Sequence, residues 1–373
     1  MQKIIILLLF LIIPFNCFAE ENKVIEQFDV SGAERILDVT SEVFPGFESR
    51  KIVEDLSKGT AFNTGEIFKN ILGFFMSEFK DNMRICALLL AIGFLIGVLS
   101  NMQSAYGKNS ASEVGHFIGY CIFSGVLVAS FSEIIAPAKE MIEVISVMIS
   151  ATIPILISLI TMSGGVVTSG LMASGLIALV NIVNSVISGI VFPLILCSFS
   201  LSVTANMSER LPLSHTVITL RKSVKWILVF MMAVFAGIFG VYGLSGSAID
   251  ASAGKAVRFA IGSGIPLVGG VAADSLETVI ATLGATRNII GTVGMCAVAI
   301  AAASPVIKTA VLMWIFRLCC AIIEPFSSPR IVKLMADAAE CITLVFSVLI
   351  SVCLLFVGAL GILLIAGNFV TGG

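Results

Sequence analysis

The most constraining feature of the sequence is an uninterrupted run of 65 residues, 144–208, that contains no Asp, Glu, Lys or Arg. A water-soluble domain needs charged residues at its surface, and about a quarter of an average soluble chain is charged. Here charged residues make up 12% and hydrophobic residues 58% of the chain. A span needs only about 20 apolar residues to cross a bilayer. The sequence therefore predicts an all-α, polytopic integral membrane protein, folded as a helical bundle.

The N-terminus has the features of an export signal. Lys3 is followed by the apolar stretch 4–13 and then by small residues that end at Ala19. This order is typical of a signal peptide, so we expect residues 1–19 to be removed by cleavage after Ala19. A lipoprotein signal at Cys17 and an uncleaved anchor are the alternatives.

The remaining charges divide the chain into two unequal parts. Residues 20–84 hold 13 of the 24 acidic and 8 of the 22 basic residues. Apolar residues at helical spacing predict a small helical head outside the cytoplasm. A segment of this size buries little core alone, so we expect it to lie on the membrane surface or on a partner. Residues 85–373 are the predicted membrane domain.

The membrane domain contains nine candidate spans. They are 85–103, 114–132, 141–162, 166–187, 189–207, 226–247, 288–307, 309–325 and 342–367. The charge-free run accommodates two long spans or three short ones, with Ser163–Gly165 and Ser188-Gly189 as breaks. Three spans would leave the loop 208–225 in the cytoplasm. Because that loop carries four basic residues against Glu209, the positive-inside rule favours three.

Two features of this assignment stay open. The pair 288–307 and 309–325 requires a tight turn near Ser304 and Pro305. Nine spans give a cytoplasmic C-terminus, whereas eight, with one of the pair not crossing, place it outside. The loop 208–225 also resembles a basic amphipathic helix, which would anchor in lipid at the inner surface or dock a cytosolic partner.

Signatures of catalysis and cofactor binding are absent from the sequence. It contains two histidines, His116 and His215, and no HExxH, GxSxG or Walker A motif. None of the nine cysteines lies in the head and none forms a CxxC motif, so neither a disulfide framework nor a metal site is implied. The net charge of −2 does not suit nucleic-acid binding. We expect no enzyme activity and no cofactor.

A possible re-entrant or amphipathic hairpin lies between the spans. Two basic residues precede a flexible Gly/Pro bend, and two acidic residues follow it at the same i, i+3 spacing. These residues are Lys255, Arg258, Gly262, Gly264, Pro266, Gly269, Gly270, Asp274 and Glu277. The two arms could pair their charges. The hairpin is either a pore- or gate-forming element that enters the bilayer or a solvated hairpin on its surface.

Arg317 is a candidate intramembrane charge. It lies near the middle of the apolar stretch 311–323, where a cation costs roughly 2.5–3.5 kcal/mol on insertion scales. Lys308 and Glu324 flank it, and Glu143 or an assembly partner could supply a counter-charge. Snorkelling to the membrane surface or a shifted span boundary is the alternative.

The central and C-terminal residues resemble one known family. The stretches GKAVRFAIGSGIPLVGGVAADSLETV (254–279) and LMWIFRLCCAIIEPF (312–326), with the glycine- and alanine-rich span from Gly291, are similar to the stage III sporulation protein AE family of endospore-forming bacteria. This resemblance extends over essentially the whole chain. It implies no catalytic residues.

The resemblance implies a role in endospore development. The chain would be a multi-pass subunit, in the mother-cell membrane around the forespore, of an envelope-spanning channel or secretion-like complex. Other membrane and cytosolic subunits, including a separate ATPase, would be its partners, together with the lipid bilayer. The alternative is a self-sufficient secondary permease for a small solute, although no internal repeat is evident. An intramembrane enzyme is a third and weaker hypothesis.

Overall fold

The described part of the protein is entirely α-helical. A computed structural model describes residues 64–106, 110–207, 213–238 and 269–371, and these ranges contain no strand. The helices are α1 (Thr64–Tyr106), α2 (Ser110–Met162), α3 (Val166–Val186), a π-helix (Ile187–Val191), α4 (Phe192–Met207), α5 (described over 214–238), α6 (Gly269–Ile323) and α7 (Pro329–Thr371). The predicted fold class, an all-α membrane helical bundle, is confirmed.

The predicted N-terminal head lies mostly outside the described residues, as does the predicted signal peptide. Residues 64–84 of the head are the first part of α1. This helix continues into the predicted span 85–103 without a break. The boundary placed at residue 84 is therefore not a boundary between helices.

Helix α2 is far longer than a single span. It runs for 53 residues, and at about 1.5 Å per residue this is roughly 80 Å, against a hydrocarbon core of about 30 Å. The predicted spans 114–132 and 141–162 both lie within it, and no reversal separates them. Pro137 and Pro154 lie inside the helix. Proline can kink a helix, but here the chain does not turn back at either position.

The charge-free run contains one reversal rather than two. Residues Ser163–Gly165 turn the chain between α2 and α3, and Gly164 supplies the positive φ, +97°, that this turn requires. The second expected reversal, near Ser188 and Gly189, is absent. A π-helical turn accommodates these residues, so α3 continues into α4. The run therefore forms two long helical stretches, the alternative that was not preferred from sequence.

Helices α6 and α7 form an antiparallel hairpin in the core of the bundle. α7 packs against α6, α2 and α4, and its side chains from Leu344 to Leu349 include several that are fully buried. The turn predicted near Ser304 and Pro305 is not present, because Pro305 lies inside the 55-residue helix α6. The two helices reverse at 324–328 instead.

Five helical stretches are long and apolar enough to cross a membrane. They are Phe75–Leu99, Phe117–Met162, Val166–Met207, Thr278–Ile323 and Pro329–Gly367. The chain is therefore a multi-pass membrane protein. The number of crossings and the side on which the C-terminus lies stay predictions.

Side-chain contacts show which ends of the helices lie together. Tyr120, near the start of α2, donates a hydrogen bond from its hydroxyl to the Val203 carbonyl near the end of α4, at 2.6 Å. Lys333, near the start of α7, donates to the Ser214 hydroxyl at the start of α5, at 3.3 Å. Phe326, in the α6–α7 turn, lies against Gly97 of α1. We call this the α6–α7 end; the Ser163–Gly165 turn lies at the opposite end.

Gly97 is the residue that permits the closest approach between α1 and the α6–α7 turn. A Cβ atom added there would contact the Phe326 carbonyl oxygen and lie 2.8 Å from the carbonyl carbon. Because both atoms belong to the main chain, a side-chain rotation cannot relieve the clash. Gly125, on an exposed part of α2, has no atom within 4 Å of the same position.

Gly97→Ala should therefore destabilise the protein, whereas Gly125→Ala should not. Overpacking costs about 1–3 kcal/mol, and the helix propensity of alanine recovers at most about 1 kcal/mol of it. We expect a lower thermal midpoint for the detergent-solubilised G97A protein and an unchanged or higher one for G125A. Equal midpoints in the two variants would contradict the close approach.

Candidate functional site

The described residues contain one buried ion pair, between α5 and α7. Arg221 Nη1 donates to Asp337 Oδ1 at 2.8 Å, and the two side chains are 10% and 18% exposed. Arg221 Nη2 also donates to the main-chain oxygen of Asp337, at 3.3 Å. The arginine thus contacts both the side chain and the backbone of α7.

Helix α4 completes this site with polar side chains from one face. Ser198, Ser202 and Asn206 follow each other at intervals of four residues and therefore lie along one side of the helix. Arg221 Nε donates to the Ser198 hydroxyl at 3.2 Å, and Nη2 donates to the Ser202 hydroxyl at 2.7 Å. Asn206 Nδ2 donates to Asp337 Oδ2 at 2.9 Å. We call these five residues the Arg221–Asp337 network.

The network is satisfied by hydrogen bonds on every side. All three guanidinium nitrogens of Arg221 donate, and both carboxylate oxygens of Asp337 accept. Transfer of a charged side chain out of water costs several kcal/mol, and only such complete pairing offsets that cost. Since apolar surfaces gain little by meeting in lipid, polar contacts of this kind help to set the packing of α4, α5 and α7.

The surroundings of the network grade from buried to exposed. Cys341, one turn after Asp337, is buried and lies 3.9 Å from the Ser198 hydroxyl. On the exposed side Lys225 pairs with Glu340 at 2.7 Å, where 56% and 37% of the two side chains are exposed. The network therefore lies just inside the polar surface of the α6–α7 end.

The chemistry available in this site is binding and positioning. It holds one carboxylate and one guanidinium that neutralise each other, and neither His nor a free acid lies among its members. No group of three or more His, Cys, Asp or Glu that could hold a metal ion occurs in the described residues. An arrangement of this kind fixes helices relative to one another and can respond to their movement.

The predicted intramembrane charges are not brought together. Arg317 is exposed, and Nη2 donates to the Thr343 hydroxyl of α7 at 3.1 Å. Glu143 and Glu324 are exposed, Lys308 is half-buried, and Glu324 lies in the α6–α7 turn. Arg317 lies six residues before the end of α6 at Ile323, so the helix end is close to it. A functional role for these four residues stays a prediction.

The predicted hairpin lies largely outside the described residues. This applies to Lys255, Arg258, Gly262, Gly264 and Pro266. Gly269, Gly270, Asp274 and Glu277 lie in the first turns of α6. The predicted charge pairing between the two arms stays a prediction.

Sequence reasoning did not identify the Arg221–Asp337 network. It placed Arg221 in a surface loop, whereas residues 214–238 are one helix. Its partner Asp337 is 116 residues away in sequence, which no local pattern reveals. One usable signal was the repeat of polar residues Ser198, Ser202 and Asn206 in an otherwise apolar run, which marks a helix face that needs polar partners.

Breaking the Arg221–Asp337 pair should destabilise the bundle much more than breaking its exposed neighbour. Asp337→Asn leaves Arg221 buried without a counter-charge, and we expect a loss of the order of 3 kcal/mol. Lys225→Ala, one helical turn away, should cost less than about 1 kcal/mol because the Lys225–Glu340 pair is exposed. The measurement is thermal unfolding of the detergent-solubilised protein.

The apolar double variant Arg221→Met/Asp337→Leu is the control for this prediction. It removes both charges together, so it should recover much of the stability that Asp337→Asn loses. A double variant that is as unstable as the sum of the two single variants would show that the two residues act independently.

Comparison with known proteins places the chain in a family. The sequence model of the family described as stage III sporulation protein AE matches residues 47–367. A curated protein of Bacillus subtilis (strain 168), described as "Stage III sporulation protein AE", is 26% identical over 326 residues, which cover 87% of this chain and 82% of that protein. No solved structure matches. Since the match extends over most of its length, this chain belongs to the stage III sporulation protein AE family.

Proposed function

We propose that this chain is a multi-pass membrane subunit of a channel or secretion-like complex that spans the envelope between mother cell and forespore during endospore development. Family membership supports the role in endospore development. The role as a subunit of a larger complex is supported by one structural observation: the apolar surface of the bundle extends over more than one bilayer thickness.

Two apolar layers are separated by a belt of exposed charge. In α2, the apolar stretches 117–132 and 144–162 lie on either side of Glu133, Lys139, Glu140 and Glu143, which are all exposed. In α1, the belt contains the exposed residues Lys80, Asp81 and Arg84, and the apolar stretch 85–99 follows. Because α2 does not reverse within the belt, its two apolar stretches cannot lie side by side in one bilayer.

The layer next to the Ser163–Gly165 turn suits the bilayer better. There the stretches 144–162 of α2, 166–186 of α3 and 352–370 of α7 contain no charged residue. The other layer lies at the α6–α7 end, where α7 carries Arg330, Lys333, Asp337 and Glu340. Charged residues next to the lipid are costly, so the uncharged layer is the one that the hydrocarbon core accommodates.

The layer at the α6–α7 end then needs protein around it. Its exposed side chains on α1 and α2 include large apolar ones: Leu88, Phe94, Leu95, Val98, Phe117, Ile118 and Ile122. Contiguous apolar patches of this kind on a water-facing surface mark interaction sites. A permease that functions alone has no use for such a surface, whereas a subunit of a larger complex does.

Energy for transport would come from a separate subunit, because the sequence has no nucleotide-binding motif. The α6–α7 end carries the basic residues Lys222, Lys225 and Lys333, all exposed. By the positive-inside rule this end faces the mother-cell cytoplasm in our proposal. It is there that a cytosolic ATPase would dock.

The permease alternative has one observation in its favour. Buried ionisable pairs in membrane proteins mark ion or substrate pathways, and the Arg221–Asp337 pair is of that kind. A permease of this type would transport a solute as the only protein in a liposome. In the proposed complex, the chain alone would not.

Affinity purification from sporulating cells tests the proposed function. The tagged chain, solubilised in mild detergent, should retain other membrane subunits and a cytosolic ATPase, identified by mass spectrometry. Lys222→Glu/Lys333→Glu should lower the recovered ATPase at least fivefold without lowering the amount of the chain. Glu324→Lys, an exposed position at the same end, should not lower it. Recovery of the chain alone, together with solute transport in liposomes, would contradict the proposal and support a permease.

A further inference from the structure

The belt contains acidic residues on α2 that have no ionic partner. Glu133, Glu140 and Glu143 are exposed, and they form no ion pair within the described ranges. Their spacing of seven and three residues places all three on one side of the helix. Lys139 does not lie among them; its Nζ is 5.7 Å from the centroid of the Phe192 ring on α4. The result is an acidic stripe on an otherwise apolar exposed face.

Helix α1 carries the opposite charge on its own exposed face. Lys80 and Arg84, four residues apart, lie one above the other in the middle of that face. Neither forms an ion pair with any described residue. Asp81 is also exposed, but it points about a quarter-turn away from Lys80. We call Lys80 and Arg84 the basic stripe.

The two stripes lie at the same height along the bundle. Gly119 of α2 lies against Ile96 of the antiparallel helix α1, where a Cβ atom added to the glycine would be 2.8 Å from Ile96 Cγ1. Counted from this contact, Arg84 is 12 residues along α1 (96 − 84) and Glu133 is 14 along α2 (133 − 119). At about 1.5 Å per residue, the heights differ by about 3 Å. Lys80, at 16 residues, lies between Glu133 and Glu140.

Equal height is the property that a contact between copies requires. All copies of a membrane protein have the same depth and direction in the bilayer, so a residue can meet only residues of its own height in the next copy. Opposite charges on two different faces, at one height, are therefore complementary between neighbours. Two different surfaces in contact produce a ring or an open chain of subunits rather than a two-fold dimer.

We propose that copies of this chain associate side by side, with the α1 face around Lys80 and Arg84 of one copy packed on the α2 face around Glu133 and Glu140 of the next. This inference rests on the proposed function as a subunit of a larger complex. The apolar residues that surround the stripes, Leu88 and Phe94 on α1 and Ile118 and Ile122 on α2, lie within the same contact. The contact would remove from water the apolar layer that the bilayer does not accommodate.

Cross-linking between differently tagged copies tests this contact. One copy carries Arg84→Cys and the other Glu133→Cys, both in a background in which the exposed Cys121 and Cys197 are replaced by serine. Each copy gains one new thiol, so the disulfide can form only between copies. Oxidation of membranes with copper phenanthroline should produce a covalent dimer that carries both tags.

Two controls establish that the cross-link reports height and not chance collision. Ser158→Cys replaces Glu133→Cys on the same exposed side of α2, but it lies 39 residues beyond Gly119 (158 − 119), against 12 for Arg84. It should give at least tenfold less dimer with Arg84→Cys. A Glu133→Cys copy paired with a copy that lacks Arg84→Cys should also give little. Equal cross-linking in either control, or none from the matched pair, would overturn the proposal.

Charge reversal supplies an independent measurement. Arg84→Glu alone should reduce co-purification of two differently tagged copies several-fold, and so should Glu133→Lys alone. The double variant Arg84→Glu/Glu133→Lys, which exchanges the signs on every copy, should restore it. Failure of the double variant to restore association, while it remains monodisperse in detergent, would show that the stripes do not pair.

The outcomes separate this inference from the proposed function. If other subunits co-purify but copies neither cross-link nor co-purify with each other, the complex exists and the side-by-side contact is wrong. If copies cross-link as expected but nothing else co-purifies from sporulating cells, the contact is right and the proposed complex is wrong.

Discussion

The arrangement of this protein in the membrane depends on the length of one uninterrupted helix. Helix α2 runs for 53 residues without a reversal, and α6 for 55. A bilayer accommodates about 20 residues of a helix in its hydrocarbon core, so much of each helix must lie outside the lipid. The residues of α2 near that boundary, from Glu133 to Glu143, include four that are charged and exposed. A bundle of this kind is a long body with one end in the membrane rather than a compact cluster of short spans.

Specific contacts must hold such a body together, because lipid provides little drive for apolar helices to associate. Two kinds are visible in the described residues. Glycines such as Gly97 and Gly291 bring α1 and α7 against the α6–α7 turn and α6. The Arg221–Asp337 network joins α4, α5 and α7 at the end where the charged residues lie. Both fix the geometry of the α6–α7 end, where we place the contacts with other subunits.

The sequence predicted the class of the protein well and the path of the chain poorly. The charge-free run 144–208 was sufficient for an all-α membrane bundle, and the Ser163–Gly165 break marks a true turn. The other breaks failed for one physical reason. Charges at 133–143, Pro305 and Gly189 were interpreted as chain reversals, but a helix can expose charges to a partner and accommodate a proline or a π-helical turn without reversing. The ion pair was missed because its partners are distant in sequence, and hydropathy does not distinguish a surface that meets lipid from one that meets protein.

The depth of α2 in the membrane tests the central claim most directly. Spin labels at exposed positions of both layers, Ile118, Ile122 and Ala129 against Val147, Ala151 and Ser158, can be compared for collision with oxygen, which concentrates in lipid, and with a water-soluble nickel chelate. The long-helix arrangement predicts oxygen-dominated collisions at the second three positions only. Oxygen-dominated collisions in both layers, with chelate access confined to 133–143, would mean that α2 crosses the bilayer twice and would contradict this arrangement.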